Sequence, residues 1–560
     1  MRRLVFNLSY LKILIYNLYK PHLIFNFIFL TLTIGVVSCH EGPNQIIDDS
    51  RPNILLIVAD DLGYSDLGCF GGEIETPNID ALAERGIRFS RFHTAPMCAP
   101  TRAMLLTGND NHIAGVGRQN LSTSVFGYEG HLTNRVFTTP TLLRKNGYKT
   151  FMAGKWHLGH KPEHNPHSKG FEHSYVLLEG VGNHYNGNGI FKDSPGSNYT
   201  DDGKPTQWKD GAYSTNVYTD KLIEYMSQNK TDQRPFFAYA AYTAPHWPLQ
   251  VDEKYSSKYK GRYDQGYDIL KRQRFESLKK LGIIPNDAVM PLNDPSVRPW
   301  SSLSEKEKLK ESRKMELYAG MVDNLDVNVG RLIQHLKDND KYDNTLIIFI
   351  SDNGAAGEDY YNSKETGDFI NDYYNNDYEI MGQVNSLVSY GPPWAEAGSS
   401  PFRLYKEFTS NGGIIAPLIM SGPTVEYKNV VSDSFLTVMD IAPTILEIAN
   451  TSYPDQFNGN TTYPIRGHSL LSFTKGETNT IHSKDYVFGL EHTGLTMLRK
   501  GQWKLTNIVR PFIEDNFKLY NLEDDLAEIH DLSQKEPEKY DEMLNEWRVF
   551  AKNVKIQLPE

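Results

Sequence analysis

Cys98-Ala-Pro-Thr-Arg102 places a thiol at the head of a helical pattern running through Met104-Leu-Leu-Thr-Gly108, with a guanidinium four residues on. Pro100 and Thr101 suit a first helical turn, where proline gives up no hydrogen bond and the free N–H groups, with the helix dipole, attract an anion. Arg102 adds a full positive charge and a planar donor fork to that anion site. A lone cysteine is more often a small buried hydrophobe. The spacing C-x-P-x-R followed by L-x-T-G instead describes a reactive centre beside an anion site. A second set is rich in oxygen: Asp60-Asp61 and Ser351-Asp352-Asn353-Gly354 each end an apolar run. Three carboxylates and an amide offer oxygen ligands, and the carboxylates, as like charges, repel and raise one another's pKa values unless a cation sits among them, so a hard divalent ion fits, and Ca²⁺ accepts a crowded all-protein shell more readily than Mg²⁺. An isolated Asp-Asp pair is equally a cap or a turn; the second motif is what points to a metal. Lys155, His157, His246 and Lys406 complete the candidates, as cations and proton carriers.

The elements that must position these residues are legible as apolar runs. Asn53 to Ala59 and Thr345 to Ile350 are continuous and branched, the pattern of strands buried on both faces of a parallel sheet. Tyr148 to Ala153 runs into Gly154-Lys155-Trp156-His157, and Phe236 to Tyr242 into Ala244-Pro245-His246-Trp247. Each strand thus delivers polar residues just past its carboxyl end, where open α/β sheets place their sites. Asp80–Arg85, Pro140–Asn146 and Lys314–Lys337 read as amphipathic helices, so the expectation is a large, mostly parallel sheet sandwiched by helices. Leu303–Lys310 with its charged approach reads as a surface insertion, and Glu358–Ser400 as a long loop, with Trp394 in it. After about Thr480 the texture changes to short strands and a last amphipathic helix, Glu536–Asn553, a small antiparallel sheet with a packed helix.

A chain of 560 residues has room for two packed lobes, and its net charge of -11 without a Lys/Arg cluster excludes a nucleic-acid partner. An anionic ligand must therefore be met by local cations. The 33 Tyr and 26 Phe suit stacking on sugars or aryl groups, a large aromatic core being the ordinary alternative. Arg2, Arg3, Lys12 and Lys20 precede the short apolar run Leu23–Val37, which reads as an export signal. Val36-Val37-Ser38 before Cys39 resembles a bacterial lipoprotein signal, with Cys39 carrying lipid; ordinary cleavage nearby and an uncleaved anchor are the alternatives. The division expected is 1–39 export signal, 40–51 polar tether, 52–479 catalytic α/β domain and 480–560 C-terminal subdomain. The location expected is the periplasm or a cell-surface membrane. With only three cysteines, and Cys69 without an evident partner, no disulfide framework is expected.

The Cys98–Arg102 signature closely resembles that of the type I, formylglycine-dependent sulfatases. The likeness runs from about Pro52 to Leu519-Tyr-Asn-Leu522 and is nearest the bacterial arylsulfatases, through Thr107-Gly-Asn-Asp-Asn-His-Ile-Ala-Gly-Val-Gly117, Ala244-Pro-His-Trp-Pro-Leu249 and Pro401-Phe-Arg-Leu-Tyr-Lys406. Two positions depart from the family pattern: Asn411 stands where Glu is usual before Gly412-Gly413, and Ala99 where Ser is commoner. The resemblance implies an alkaline-phosphatase-like fold and one Ca²⁺ on Asp60, Asp61, residue 98, Asp352 and Asn353. It also implies that Cys98 is converted by a formylglycine-generating maturase into an aldehyde whose hydrate attacks sulfur. His246 would protonate the leaving oxygen with help from Lys406, Lys155 and Arg102 would hold sulfate oxygens, and His157 would remove the proton that lets sulfate depart. His112, Trp247, Trp394 and Arg403 are candidate substrate-binding residues. The substrate implied is a sulfate monoester, an aryl sulfate or a sulfated glycan. The alternatives are a formylglycine-dependent phosphonate or phosphodiester hydrolase, and a non-catalytic glycan-binding protein; all ten site positions keeping reactive side chains weighs against the second.

Overall fold

Ile54 to Ala59 carries no polar side chain, and the strand it belongs to, β1 (Asn53–Ala59), is buried along its whole length in the middle of a sheet. The computed structural model describes residues 50–192, 194–228, 232–359, 366–457 and 459–558. The expected export signal, Cys39 and nearly all of the tether lie outside the described residues.

The remaining strands of this sheet are β2 (Ile87–His93), β3 (Lys149–Lys155), β4 (His173–Leu177), β5 (Tyr199–Asp201), β6 (Lys204–Thr206), β7 (Phe236–Ala241), β8 (Thr345–Ser351), β9 (Ile415–Ser421), β10 (Val430–Ser432) and β11 (Leu436–Thr437). Their order is β10-β2-β9-β8-β1-β7-β3-β4-β5-β6, with β11 also on β2. From β8 to β4 every neighbour is parallel, and β9 runs antiparallel to both β8 and β2. The helices that cover the sheet form two sets: α1 (Pro77–Arg85) and α4 (Ser214–Ser227) pack on α6 (Glu305–Asp338), while α2 (Cys98–Thr107) and α3 (Thr139–Lys145) pack on α8 (Ile441–Ile448). This is the expected layered α/β architecture.

Two expectations are corrected. Leu303–Lys310 is no separate insertion: residues from Glu305 belong to the 34-residue α6, which starts at a capping box where Ser304 and Glu307 satisfy each other's N–H groups. Its first turns, Glu305 to Lys314, are mostly Glu, Lys and Arg, which hides the start of the helix ahead of the apolar stripe that begins at Met315. Within the supposed loop, Gly391–Gly398 is a buried helix, α7, because two prolines at its first positions lose no hydrogen bond there. A second helix, α5 (Tyr267–Lys280), packs against α7.

The C-terminal part is a meander, β12 (Val487–His492), β13 (Leu495–Lys500), β14 (Trp503–Asn507) and β15 (Lys518–Asn521), antiparallel throughout. Helix α9 (Pro537–Val554) covers it with the stripe Met543, Trp547, Phe550 and Val554, each about one turn from the next. Buried polar joints tie this sheet to the rest: Glu491 to His112 at 3.2 Å, Lys504 to Asn411 at 2.8 Å, and Arg499 to His93 at 3.2 Å.

Candidate active site

The parallel register sets the site. Ala59 pairs with Ser351, and Ala241 pairs with both Val58 and Gly154, so β8, β1, β7 and β3 end at one level. Asp352, Asp60-Asp61, His246 and Lys155-His157 therefore emerge side by side. The turn after β1 is held by Asp60 N–H on Ala244 O and Asp352 N–H on Ala59 O, both at 3.1 Å. Gly154 has φ +121° and lies so close to β7 that a Cβ would sit 1.7 Å from Ala241 O, which accounts for glycine before Lys155.

Each of the three carboxylates has its own buried cation. Lys155 Nζ lies 2.9 and 2.8 Å from the two oxygens of Asp60, Lys406 Nζ lies 2.9 Å from Asp61 Oδ2, and Arg102 Nη2 lies 2.8 Å from Asp352 Oδ2. Lys406 is shared with Glu358 at 2.7 Å. Burial alone would raise the Asp61 carboxyl, but Lys406, His246 and Lys155 hold it well below the usual range. At Asp352 burial and the Asp60 charge prevail over Arg102 and push the carboxyl up to about 6. The Lys406 ammonium is held well above its ordinary pKa by Asp61 and Glu358 against the effect of burial.

Cys98 opens α2 and is fully buried, with Sγ 3.8 Å from Asp61 Oδ1. Burial and the Asp352 charge push its thiol well above the ordinary value, so as cysteine it is a neutral, poor nucleophile. Pro100 lies in the first turn and Thr101 Oγ1 accepts from Ala95 N–H at 2.9 Å, fixing the entry of the helix as the sequence pattern requires. His246 Nε2 faces Asp61 Oδ2 at 3.3 Å, and its Nδ1 lies 2.6 Å from Trp247 O. A carbonyl only accepts, so Nδ1 carries a proton and Nε2 is the atom that exchanges one with the site. Burial and the two lysines push this imidazole down to about 3, against the pull of Asp61.

His157 has φ +60°, and its ring lies against Gly180, where a Cβ would meet Cε1 at 2.3 Å. Nε2 contacts Asn120 Oδ1 at 3.3 Å while Nδ1 is buried without a hydrogen-bond partner. With Nε2–H donated to Asn120, Nδ1 is a lone-pair base, and burial together with Lys155 and Arg102 keeps the ring well below its ordinary pKa and neutral.

Among the described residues, one ligand atom each from Asp60, Asp61, Cys98 and His246 lies within 4.8 Å of the others. Asp352 and Asn353 adjoin this group: Asp61 N–H meets Asp352 Oδ1 at 3.3 Å and Asn353 Nδ2 donates to Asp61 Oδ1 at 2.7 Å. The three cations neutralise the carboxylates one to one, so repulsion by itself does not demand a metal. The buried Oδ1 of Asn353, which has no hydrogen-bond partner, does speak for one, because an orphaned acceptor among hard oxygen donors suits a hard cation.

The four substrate-binding candidates separate. Trp247 packs beside His246 with ring centres 4.7 Å apart and planes tilted by 40°, and stays with the site. His112 is fully buried between Asp110 and Glu491, each at 3.2 Å, and those carboxylates raise it to about 9 against the effect of burial; it forms a joint to the C-terminal sheet. Trp394 is packed edge-on against Tyr263, Tyr267 and Trp300 and is 1% exposed, so it belongs to the core of α7. Arg403 lies beside Tyr520 of β15, on the C-terminal side. In the sequence these three sit inside or next to motifs, and motif proximity does not distinguish a wall from a joint.

Several contributors carried no signal of their own. Glu358, burial and Asp61 pushing it up to about 7 against Lys406, is the second partner of that lysine. Asn120 sits in an unpatterned loop. Asp66 accepts from Gly63 N–H at 2.7 Å, from Tyr318 and from Arg274, and so braces the turn after Asp61 from beneath. Tyr318 and Arg274 lie on different helices, and only the repeated acidic residues after Asp61 hinted at such a network.

A family model described as Sulfatase matches residues 52–451, and one described as N-sulphoglucosamine sulphohydrolase, C-terminal, matches 402–552. An uncharacterized sulfatase of Schizosaccharomyces pombe is 40% identical over 527 residues, which is 90% of this chain and 94% of the relative. An arylsulfatase of Klebsiella aerogenes is 38% identical over 440 residues, covering 77% of this chain and 94% of that one. Among solved structures, Ps i-CgsB in complex with k-i-k-neocarrahexaose shares 25% identity at a TM-score of 0.63, over 90% of this chain and 93% of the other. The structure of BT4656 has the same fold, at a TM-score of 0.60 and 20% identity over 90% of this chain and 98% of the other. Since the match takes in the ends of β1, β3, β7 and β8 as well as the Cys98 helix, the likeness is one of the whole chain: it belongs to the sulfatase family and is a sulfuric ester hydrolase.

Proposed function

We propose that the chain hydrolyses carbohydrate sulfate monoesters through a formylglycine at position 98 and a bound Ca²⁺, releasing inorganic sulfate. The observation that carries this reading is the buried Cys98 at a helix N-terminus, 3.8 Å from Asp61, with the charges of Arg102, Lys155 and Lys406 acting on it. Oxidised by a maturase to the aldehyde, residue 98 supplies as its hydrate an oxygen nucleophile and a second hydroxyl through which sulfate can be released. Asp60, Asp61, Asp352 and Asn353, with residue 98, would hold the calcium, which supplies Lewis acidity toward a sulfate oxygen.

The residues of the chain divide the remaining work. Arg102, Lys155 and Lys406 offer positive charge to the sulfate, Lys155 and Lys406 from ammonium groups that now lie on Asp60 and Asp61. His246, tethered through Nδ1–H to Trp247 O, presents Nε2 to the departing oxygen; an anionic ester brought beside it favours the protonated ring and so opposes the burial that otherwise keeps it neutral. His157 Nδ1 is the neutral base. An aryl sulfate needs little from His246, a sugar sulfate needs much.

The sulfated sugar is supported by the neocarrahexaose in the Ps i-CgsB complex, and the aryl ester by the Klebsiella relative. The mature chain begins at Cys39, lipid-modified and membrane-held outside the cytoplasm, on the strength of Val36-Val37-Ser38; N-terminal analysis of the membrane fraction tests that. The central test is peptide mass spectrometry across residue 98 of an active preparation, with a panel of sulfate, phosphate and phosphonate esters. An aldehyde at residue 98 and preferred turnover of sulfate are expected. Unmodified thiol in an active enzyme, preference for phosphonate, or no turnover by aldehyde-bearing protein would each overturn the reading.

A further inference from the structure

Beyond the sulfate-binding residues the same face of the molecule holds a cavity of about 890 Å³. Its walls are segments that follow β4, β6, β7 and β8, with Arg313 and Glu316 of α6; β7 and β8 also deliver His246 and Asp352. Those walls are continuous with the His246 backbone. His184 Nε2 donates to His246 O at 3.0 Å, His184 N–H donates to Gln250 Oε1 at 3.0 Å, and the Gln250 amide donates to Gln383 O and Val384 O at 3.2 and 3.1 Å. Tyr185, Val251 and Gln383, which line the cavity, are respectively adjacent to, adjacent to and bonded by these residues. His246 faces the departing oxygen in the mechanism above, so the alcohol part of the ester lies on its side of the sulfate, toward these loops.

The lining has the chemistry of polyol recognition and the wrong charge for a polyanion. Tyr185 and Tyr378 offer ring faces to the C–H faces of a sugar, and Asn186, Asn188 and Gln383 offer amides to its hydroxyls. Asp210, Asp252, Glu253, Glu316 and Glu379 face into the same space. The described lining counters them with Lys260 and with Arg313, which is engaged by Glu316 at 3.2 Å. Thus a site whose floor must attract one anion adjoins a wall that repels a second one. We infer that this cavity is the subsite for the alcohol part of the ester and takes a neutral saccharide, discriminating against chains that carry further sulfates or carboxylates beside the scissile group. The inference rests on the catalytic reading above and narrows its substrate class.

The test uses the matured, calcium-loaded enzyme and three substrates: a monosulfated neutral disaccharide, the same disaccharide with a second sulfate on the neighbouring ring, and 4-nitrophenyl sulfate. The wild type is expected to favour the monosulfated disaccharide by about tenfold or more in kcat/KM, with the preference shrinking as salt screens the wall. In the double charge reversal Glu253→Lys with Glu379→Lys, both positions exposed, the ratio for the two disaccharides is expected to fall to near one or invert. Because the readout is a ratio within each variant, a general loss of activity cancels. Tyr378→Ala is expected to raise KM for the disaccharide more than for 4-nitrophenyl sulfate. A salt-independent ratio that the charge reversal leaves unmoved, in a wild type that turns over 4-nitrophenyl sulfate normally, would overturn the cavity assignment alone. Failure of the matured wild type to turn over any of the three sulfate esters would instead overturn the catalytic reading and this inference with it.

Discussion

Arg102 places Nε and Nη2 on the same oxygen of Asp352, at 2.9 and 2.8 Å, while Nη1 donates to Lys155 O at 3.0 Å. One planar guanidinium thereby joins the ends of β8 and β3 across the site. An ammonium cannot make both hydrogen bonds, from Nε and Nη1, while holding a third nitrogen against the carboxylate in fixed directions. Arg102→Lys is expected to lower kcat/KM for 4-nitrophenyl sulfate by about 10²–10³, with the far-UV spectrum unchanged; a loss below tenfold would show that charge alone suffices.

For His246 the informative measurement varies the leaving group. Protonation matters little for 4-nitrophenolate and much for a sugar alkoxide. His246→Ala is expected to lose on the order of 10²–10⁴ in kcat on a carbohydrate sulfate and far less on the nitrophenyl ester. Equal losses across the series, with chemistry rate-limiting, would transfer the proton donation to Lys406.

Asn120 accepts from His157 Nε2 at 3.3 Å and so selects the tautomer that leaves Nδ1 as the base. Asn120→Ala is expected to slow turnover by about tenfold for aryl and sugar esters alike, with a pre-steady-state burst of alcohol. Asn120→Asp is expected to keep the tautomer and move the acid limb of the pH profile upward, since a carboxylate stabilises the imidazolium. A burst-free Asn120→Ala enzyme with wild-type kcat would remove Asn120 from the mechanism.

The cation makes a prediction independent of turnover. Asp61→Asn is expected to carry less than stoichiometric calcium by elemental analysis. Chelation is expected to lower the thermal midpoint of the wild type, since a ligand at about 100 times its Kd contributes about 2.7 kcal/mol. A wild type whose midpoint and metal content ignore chelator would contradict a calcium site at Asp61.

His112, raised to about 9, links the C-terminal sheet to the catalytic part in a pH-dependent way. A histidine whose folded pKa lies above its unfolded value near 6.5 contributes stability that is complete below about 6.5 and is lost as pH rises through about 9. The contribution is on the order of 3 kcal/mol. Urea unfolding at pH 6 and pH 9.5 is expected to show a larger drop for the wild type than for His112→Asn, and parallel drops would rule the linkage out.

The local sequence determined the reactive helix and the strand ends. Continuous apolar runs stopped by Asp60-Asp61, Lys155, His246 and Asp352-Asn353 read as buried strands with polar residues at their ends, and C-x-P-x-R specifies a helix N-terminus through bonds no more than six residues apart. The partners were decided by the tertiary structure. Asp61 meets Lys406 and Asp352 meets Arg102 across hundreds of residues because the strand order β9-β8-β1-β7-β3 does not follow the chain, and nothing in a charged side chain's own neighbourhood records which opposite charge the register will bring to it. The same reason separates Trp247 from Trp394 and His246 from His112: in each pair the residue types are identical and the motifs alike, and only the packing of α7 and of β12 against the rest turns the second of each pair into core and joint. Hidden in the same way was the start of α6, whose charged first turns look like surface until Ser304 and Glu307 close their cap and Met315 reaches the core.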